Sequence, residues 1–184
     1  MGGGRHYDTR PMSKTRADRV DAERLAREGA VIERLFPLED FARLADSLAK
    51  PAGQARAIFR FSVVEGLPGC ETDVRARLWL TCQRCLEPVE CEVGSASRLV
   101  FAADDGEAAR VPADWDATLA DATRVALGEL AEDDVLLALP LVPMHGPGTR
   151  CAGQKVPPVA ESAGEPERPA TQRPFAQLKD LLKH

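Results

Sequence analysis

At 184 residues with 44% hydrophobic residues, the chain is sized for one domain with tails and can build a core. Aromatics make up only 5%, so that core has to come mainly from Leu, Val and Ala. A net charge of −5 excludes generic nucleic-acid binding through an overall basic surface, and no apolar run approaches the roughly 20 residues of a membrane span. The first 27 residues, rich in Gly, Arg and Asp, carry no apolar signal core and are expected to form a flexible leader. A chain without a secretory signal is expected in the reducing cytoplasm. Its five Cys are then expected in metal binding, core filling or redox chemistry rather than in disulfides.

From the end of the leader, Ala22–Glu28 can continue a short helix, and Ala30–Phe36 reads as a strand. Pro37–Ala49 is predicted helical, with Leu38, Phe41, Leu44, Ala45 and Leu48 on one face and proline in the first turn. The strands Ala57–Glu65 and Glu71–Cys82 flank a turn signal at Gly66-Leu67-Pro68-Gly69. In the second strand Val74, Ala76, Leu78, Leu80 and Cys82 share one parity, and Arg75, Arg77, Trp79 and Thr81 the other. A third strand, Val89–Phe101, follows the turn Gln83–Pro88 and puts Cys91 on its apolar face. Ala102–Asp114 is a polar connection, and an amphipathic helix is best defined over Val125–Ala138, stopped by Pro140 and Pro143. Residues 154–172 read as a mobile loop and residues 173–184 as a docking helix carrying Phe175, Leu178, Leu181 and Leu182. The expected fold is α+β: one domain over residues 28–153, with a small antiparallel sheet of three or more strands packed against flanking helices.

Cys82-Gln83-Arg84-Cys85 is the sharpest local signal, because a tight knuckle at a strand end aims two thiolates at one Zn²⁺. A tetrahedral structural site needs two further ligands. His145 and Cys151, in the Pro/Gly-rich segment after the last long helix, are the candidates, with Cys91 behind them. The plainer alternative for the same residues is small buried thiols beside an exposed His. A thiol oxidoreductase using Cys82 and Cys85 is the redox alternative, although Pro88 and an alternating strand follow the pair where a redox motif would open a helix. Arg75, Arg77 and Trp79, extended by Arg60, could grip phosphate and stack on a base, or form an ordinary solvated face. The acidic run Glu132-Asp133-Asp134 reads as a wet helix face or an acidic edge for a basic partner. No nucleophile–base set, phosphate loop or dinucleotide fingerprint is visible, and two of the three His lie in the tails, so the chain is read as no enzyme.

Three pieces in this order carry a resemblance: Leu80–Val89 with its Cys pair, Glu132–His145 followed by Cys151, and the C-terminal Arg173–Lys179. Together they resemble the YceD-type family of large ribosomal RNA subunit accumulation proteins, over about Glu28 to the C-terminus. The resemblance implies a bacterial cytoplasmic accessory factor supporting synthesis, processing or stability of 23S rRNA, with a large-subunit ribosomal protein or the rRNA as partner. It transfers no catalytic residue. It nominates Cys82, Arg84, Cys85, Pro140, His145 and Cys151 as positions to test.

Overall fold

The computed structural model describes residues 19–146 together with Cys151. The expected loop at residues 154–172, the expected C-terminal helix and most of the expected leader lie outside the described residues. The described structure nevertheless includes residues ahead of the expected boundary at residue 28. Strand β1 (Arg19–Val20) leads into helix α1 (Ala22–Glu28), whose first turn is capped by the Asp21 carboxylate accepting from the Arg24 N–H at 2.9 Å. Ala22, Leu25 and Ala26 of α1 are buried in the core, so residues 19–27 belong to the fold and not to a leader.

Strand β2 (Val31–Pro37) starts the main sheet, close to expectation. The predicted helix over Pro37–Ala49 is absent. Leu38–Asp40 and Ala45–Ser47 are two short 3-10 turns. The physical reason lies 89 residues away: the Glu132 carboxylate accepts from the N–H groups of Arg43 at 2.6 Å and Leu44 at 3.1 Å, donors that a helix would have used internally. Leu38, Phe41 and Leu44 are still buried, at a spacing of three that suits the tighter turn. Ala45 is exposed and Leu48 only partly buried.

Three strands of 15 residues follow: β3 (Lys50–Val64), β4 (Leu67–Thr81) and β5 (Pro88–Ala102). The β3–β4 turn is tighter than the Gly66–Gly69 signal suggested. Only Glu65 and Gly66 lie between the strands, both at positive φ (49° and 84°), as a two-residue hairpin turn with the twist of its strands requires. Pro68 pairs with Val63 just before the β4–β5 pairing begins at Gly69, so its missing N–H removes no ladder bond to β5. Near the start of β3 the register shifts between Lys50 and Gln54. There Gly53 sits at φ 132°, where a Cβ would lie 2.4 Å from the Arg77 carbonyl oxygen.

The polar connection contains a single turn, α2 (Asp105–Ala108), and then β6 (Asp116–Leu119), which pairs parallel with the end of β5. The sheet is therefore mixed, in the order β2-β3-β4-β5-β6, and β6 is the one departure from the antiparallel expectation. A 3-10 turn (Ala122–Arg124) and β7 (Val125–Ala126), paired with β1, precede helix α3 (Leu127–Leu137). Helix α1 packs on β3 and β4, and α3 on β5 and β4. The core lies between these helices and one sheet face, around Ala55, Ala57 and Phe59 of β3 and Val74, Ala76, Leu78 and Leu80 of β4. The alternation predicted for β4 is the observed one.

Candidate metal centre

The knuckle follows directly from the end of β4. Parity along that strand drives Leu78, Leu80 and Cys82 toward the core, so Cys82 is fully buried where the pairing stops. The chain then reverses in a turn held by Cys82 N–H donating to the Glu87 carbonyl and Leu86 N–H donating to the Cys82 carbonyl, both at 2.9 Å. Leu86 takes a positive φ of 62° to close it, and Pro88 opens β5.

What returns the late segment to this knuckle is the acidic run of α3. Asp134 is buried and accepts from the Thr72 hydroxyl of β4, in a very short contact, and from the Ser95 hydroxyl of β5 at 3.3 Å. With its single proton given to Asp134, the Thr72 hydroxyl accepts from Ser97, 2.7 Å away. Glu132, also buried, holds the Arg43–Leu44 backbone and the Arg43 guanidinium, while Asp133 pairs with Arg43 at the surface. The run is thus a two-sided clamp rather than a wet face: Asp134 fixes α3 to the sheet and Glu132 fixes the 3-10 segment to α3. A sequence signal for this existed, since Leu127–Leu137 contains no Lys or Arg to serve an exposed carboxylate ladder.

Helix α3 ends before Pro140, and the chain passes alongside the knuckle. Gln83 N–H donates to the Pro143 carbonyl at 2.8 Å, the Arg84 guanidinium reaches the Met144 sulfur at 3.8 Å, and Cys85 Sγ lies 3.6 Å from His145 Nδ1. Cys151 completes the set. Its Sγ is 3.5 Å from His145 Nδ1 and 4.0 Å from Cys82 Sγ, and the four ligand atoms all lie within 4.8 Å of one another. The four residues nominated from spacing are brought to one point.

These separations can be tested against a metal. Tetrahedral bonds of roughly 2.3 Å to sulfur and 2.0–2.1 Å to nitrogen put neighbouring donors roughly 3.8 Å apart for two sulfurs and 3.6 Å for sulfur and nitrogen. The observed 4.0, 3.6 and 3.5 Å are close to those edges, with His145 presenting Nδ1. Three sulfurs and one imidazole fit a structural zinc-type ion, and four protein donors leave no open position for substrate.

The electrostatics split the thiols. Burial pushes Cys82 up, but hydrogen bonds from the backbone of Arg84, Cys85 and His145, and from the His145 side chain, outweigh it and bring the thiol down to about 5. Cys151 is raised, first by burial and then by its contacts with Cys85 and Cys82. The knuckle backbone therefore favours a sulfur anion at its centre, which is what a cation needs. The other thiols stand apart. Cys91 is half-buried on β5, opposite Leu78, and burial raises it. Cys70 is pushed up to about 12 by burial and then by Asp134, so it is a core thiol.

Arg75, Arg77 and Trp79 lie together on the open face of β4, as parity predicted. Arg75 and Arg77 already have carboxylates. Arg75 faces Asp73 at 3.7 Å, Arg77 pairs with Glu92 in a very short contact and with Glu90 at 3.9 Å, and Lys50 covers the Trp79 ring at 4.4 Å. Arg60 stands opposite Glu71, which also pairs with Arg98. Arg84 lies elsewhere, at the knuckle, with no carboxylate in salt-bridge range among the described residues.

No described helix is long and apolar enough to cross a membrane. No curated protein and no solved structure matches the chain. Residues 70–182 match the family described as large ribosomal RNA subunit accumulation protein YceD, a span that takes in most of β4, the knuckle, α3 and all four clustered ligands. Covering more than half of the 184 residues, that match places the chain in the large ribosomal RNA subunit accumulation protein family.

Proposed function

We propose that this chain is a non-catalytic accessory factor of large-subunit ribosome biogenesis, acting in the bacterial cytoplasm to support synthesis, processing or stability of 23S rRNA. In this reading Cys82, Cys85, His145 and Cys151 hold a structural zinc ion that pins the segment after α3 onto the β4–β5 knuckle. The supporting observation is the convergence of four donors from two distant stretches of sequence to within 4.8 Å of one another, three of the separations lying at 3.5–4.0 Å. Family membership supports the ribosomal role. The metal would supply a fixed cross-link between the two stretches. The chain's own residues do the rest: the knuckle backbone stabilises the Cys82 anion, and the Asp134 and Glu132 clamps deliver His145. A disulfide-exchange role for Cys82 and Cys85 is disfavoured, because the pair lies in a strand-to-strand turn with no helix opening at it.

The test is the ratio of large- to small-subunit rRNA in a deletion strain complemented with wild type or with Cys82→Ser/Cys85→Ser. The expected result is a deficit of large-subunit rRNA on deletion, restored by wild type and not by the double variant. An unchanged ratio on deletion overturns the ribosomal role. Full restoration by the double variant overturns the need for the metal centre.

A further inference from the structure

The three sulfurs of the metal centre differ in access. Cys82 and Cys151 are buried, whereas Cys85 and His145 are only partly covered. The sulfurs also differ in support. Backbone N–H groups of Arg84, Cys85 and His145 donate to the Cys82 sulfur, while the Cys151 sulfur meets His145 Nδ1 and the two other sulfurs. All four donor atoms lie within 4.8 Å of one another. Closing a sulfur pair from that range to the roughly 2.05 Å of a disulfide takes a movement of less than about 3 Å. Cys70, fully buried, and Cys91, on β5 opposite Leu78, stand outside the cluster.

We infer that this centre is a peroxide-responsive switch: Cys85 and Cys151 join in a disulfide, the metal leaves, and the late segment stays tied to the knuckle. The inference rests on the metal centre proposed above and adds its regulation. A hydroperoxide reaches Cys85 first, as the least covered of the three sulfurs. The Cys85 thiolate breaks the O–O bond, becomes a sulfenic acid and releases hydroxide or alkoxide. The Cys151 thiolate then attacks that sulfur, forming the S–S bond and expelling hydroxide. Two thiolates thus give two electrons to one peroxide, and water protonates the released anions. Cys151 is the resolving thiol because Cys82 is already engaged. A disulfide sulfur is a weak acceptor, so pairing Cys82 would forfeit its N–H bonds, whereas pairing Cys151 keeps them. Cys82 and His145 remain as two donors where a structural ion needs four, so the ion is lost. A bridge between Cys82 and Cys85 would also expel the ion, but it would free the segment after α3.

The experiment uses the full-length Cys91→Ser chain beside wild type, purified without chelator and assayed first for zinc. Trypsin cuts after Arg84, so Cys82 and Cys85 fall in different peptides, and Cys151 lies in a third. In Cys91→Ser the peptide from Cys85 to Arg98 holds a single thiol, which makes the linkage unambiguous. Hydrogen peroxide is added in the presence of a chromogenic chelator, followed by thiol blocking and peptide mapping. The expected result is one zinc released per Cys85–Cys151 disulfide in both proteins, reversed by dithiothreitol and zinc. Proteolysis over residues 140–146 should stay within about twofold of the untreated rate, because the segment remains tethered. A Cys82–Cys85 bridge with faster proteolysis overturns the inference, and so does zinc retained at peroxide sufficient to oxidise Cys91 in wild type. Zinc lost to sulfinic acid without a disulfide overturns it as well. These outcomes leave the structural metal site standing. Protein that carries no metal before peroxide overturns the metal centre itself, and the inference with it.

Discussion

The knuckle end and the open sheet face hold similar numbers of chemically capable side chains, yet they differ in what those side chains have left to bind. On the open face, several cations are paired across strands: Arg56 with Glu33 at 2.7 Å, Arg77 with Glu92, and Arg98 with Glu71 at 3.3 Å. At the knuckle, three sulfurs and an imidazole converge within 4.8 Å of one another, beneath backbone N–H groups that favour an anion. Residue type alone does not distinguish a site from a solvated surface. Unused coordination capacity does.

Breaking the knuckle should have the largest effect. Cys151→Ser is expected to lose the metal and free the segment after α3, seen as faster amide exchange and proteolysis over residues 140–146. The accompanying loss of stability should be several kcal/mol, as befits sites whose metal contributes on the order of 10 kcal/mol to small domains. The clamp is next. Glu132→Ala removes the acceptor of two backbone N–H groups and the partner of Arg43, which should cost about 3 kcal/mol in denaturant unfolding. Gly53→Ala places a Cβ against the Arg77 carbonyl at a φ that side chains rarely adopt, an expected loss of about 2 kcal/mol by the same measurement. On the open face, Arg77→Ala should change stability by less than about 0.5 kcal/mol and leave metal content unchanged, since both partners are well exposed. A large effect there, or a negligible one at Cys151, would reverse the contrast between the two regions.

The comparison also explains what was legible beforehand. Strand alternation and Cys-x-x-Cys spacing are local signals, so the three long strands and the knuckle could be read directly from residues 57–101. The ligands His145 and Cys151 were reachable because few other cysteine or histidine residues remained outside the tails. Long-range polar capture was not legible. The segment after Pro37 has helical spacing, and only a carboxylate from α3 turns it into 3-10 turns. In the same way Glu132 and Asp134 read as solvated because their buried partners, Leu44 and Thr72, are distant in sequence. Strand β6 escaped notice because four residues, all but one exposed, carry no clear period and pair parallel after a polar connection.

X-ray absorption at the zinc edge, on protein purified without chelator, tests the account most directly. Three sulfur neighbours at about 2.3 Å and one nitrogen at about 2.0 Å, at one zinc per chain, are the predicted result. A coordination shell of light atoms only, or protein that carries no stoichiometric metal, would contradict it.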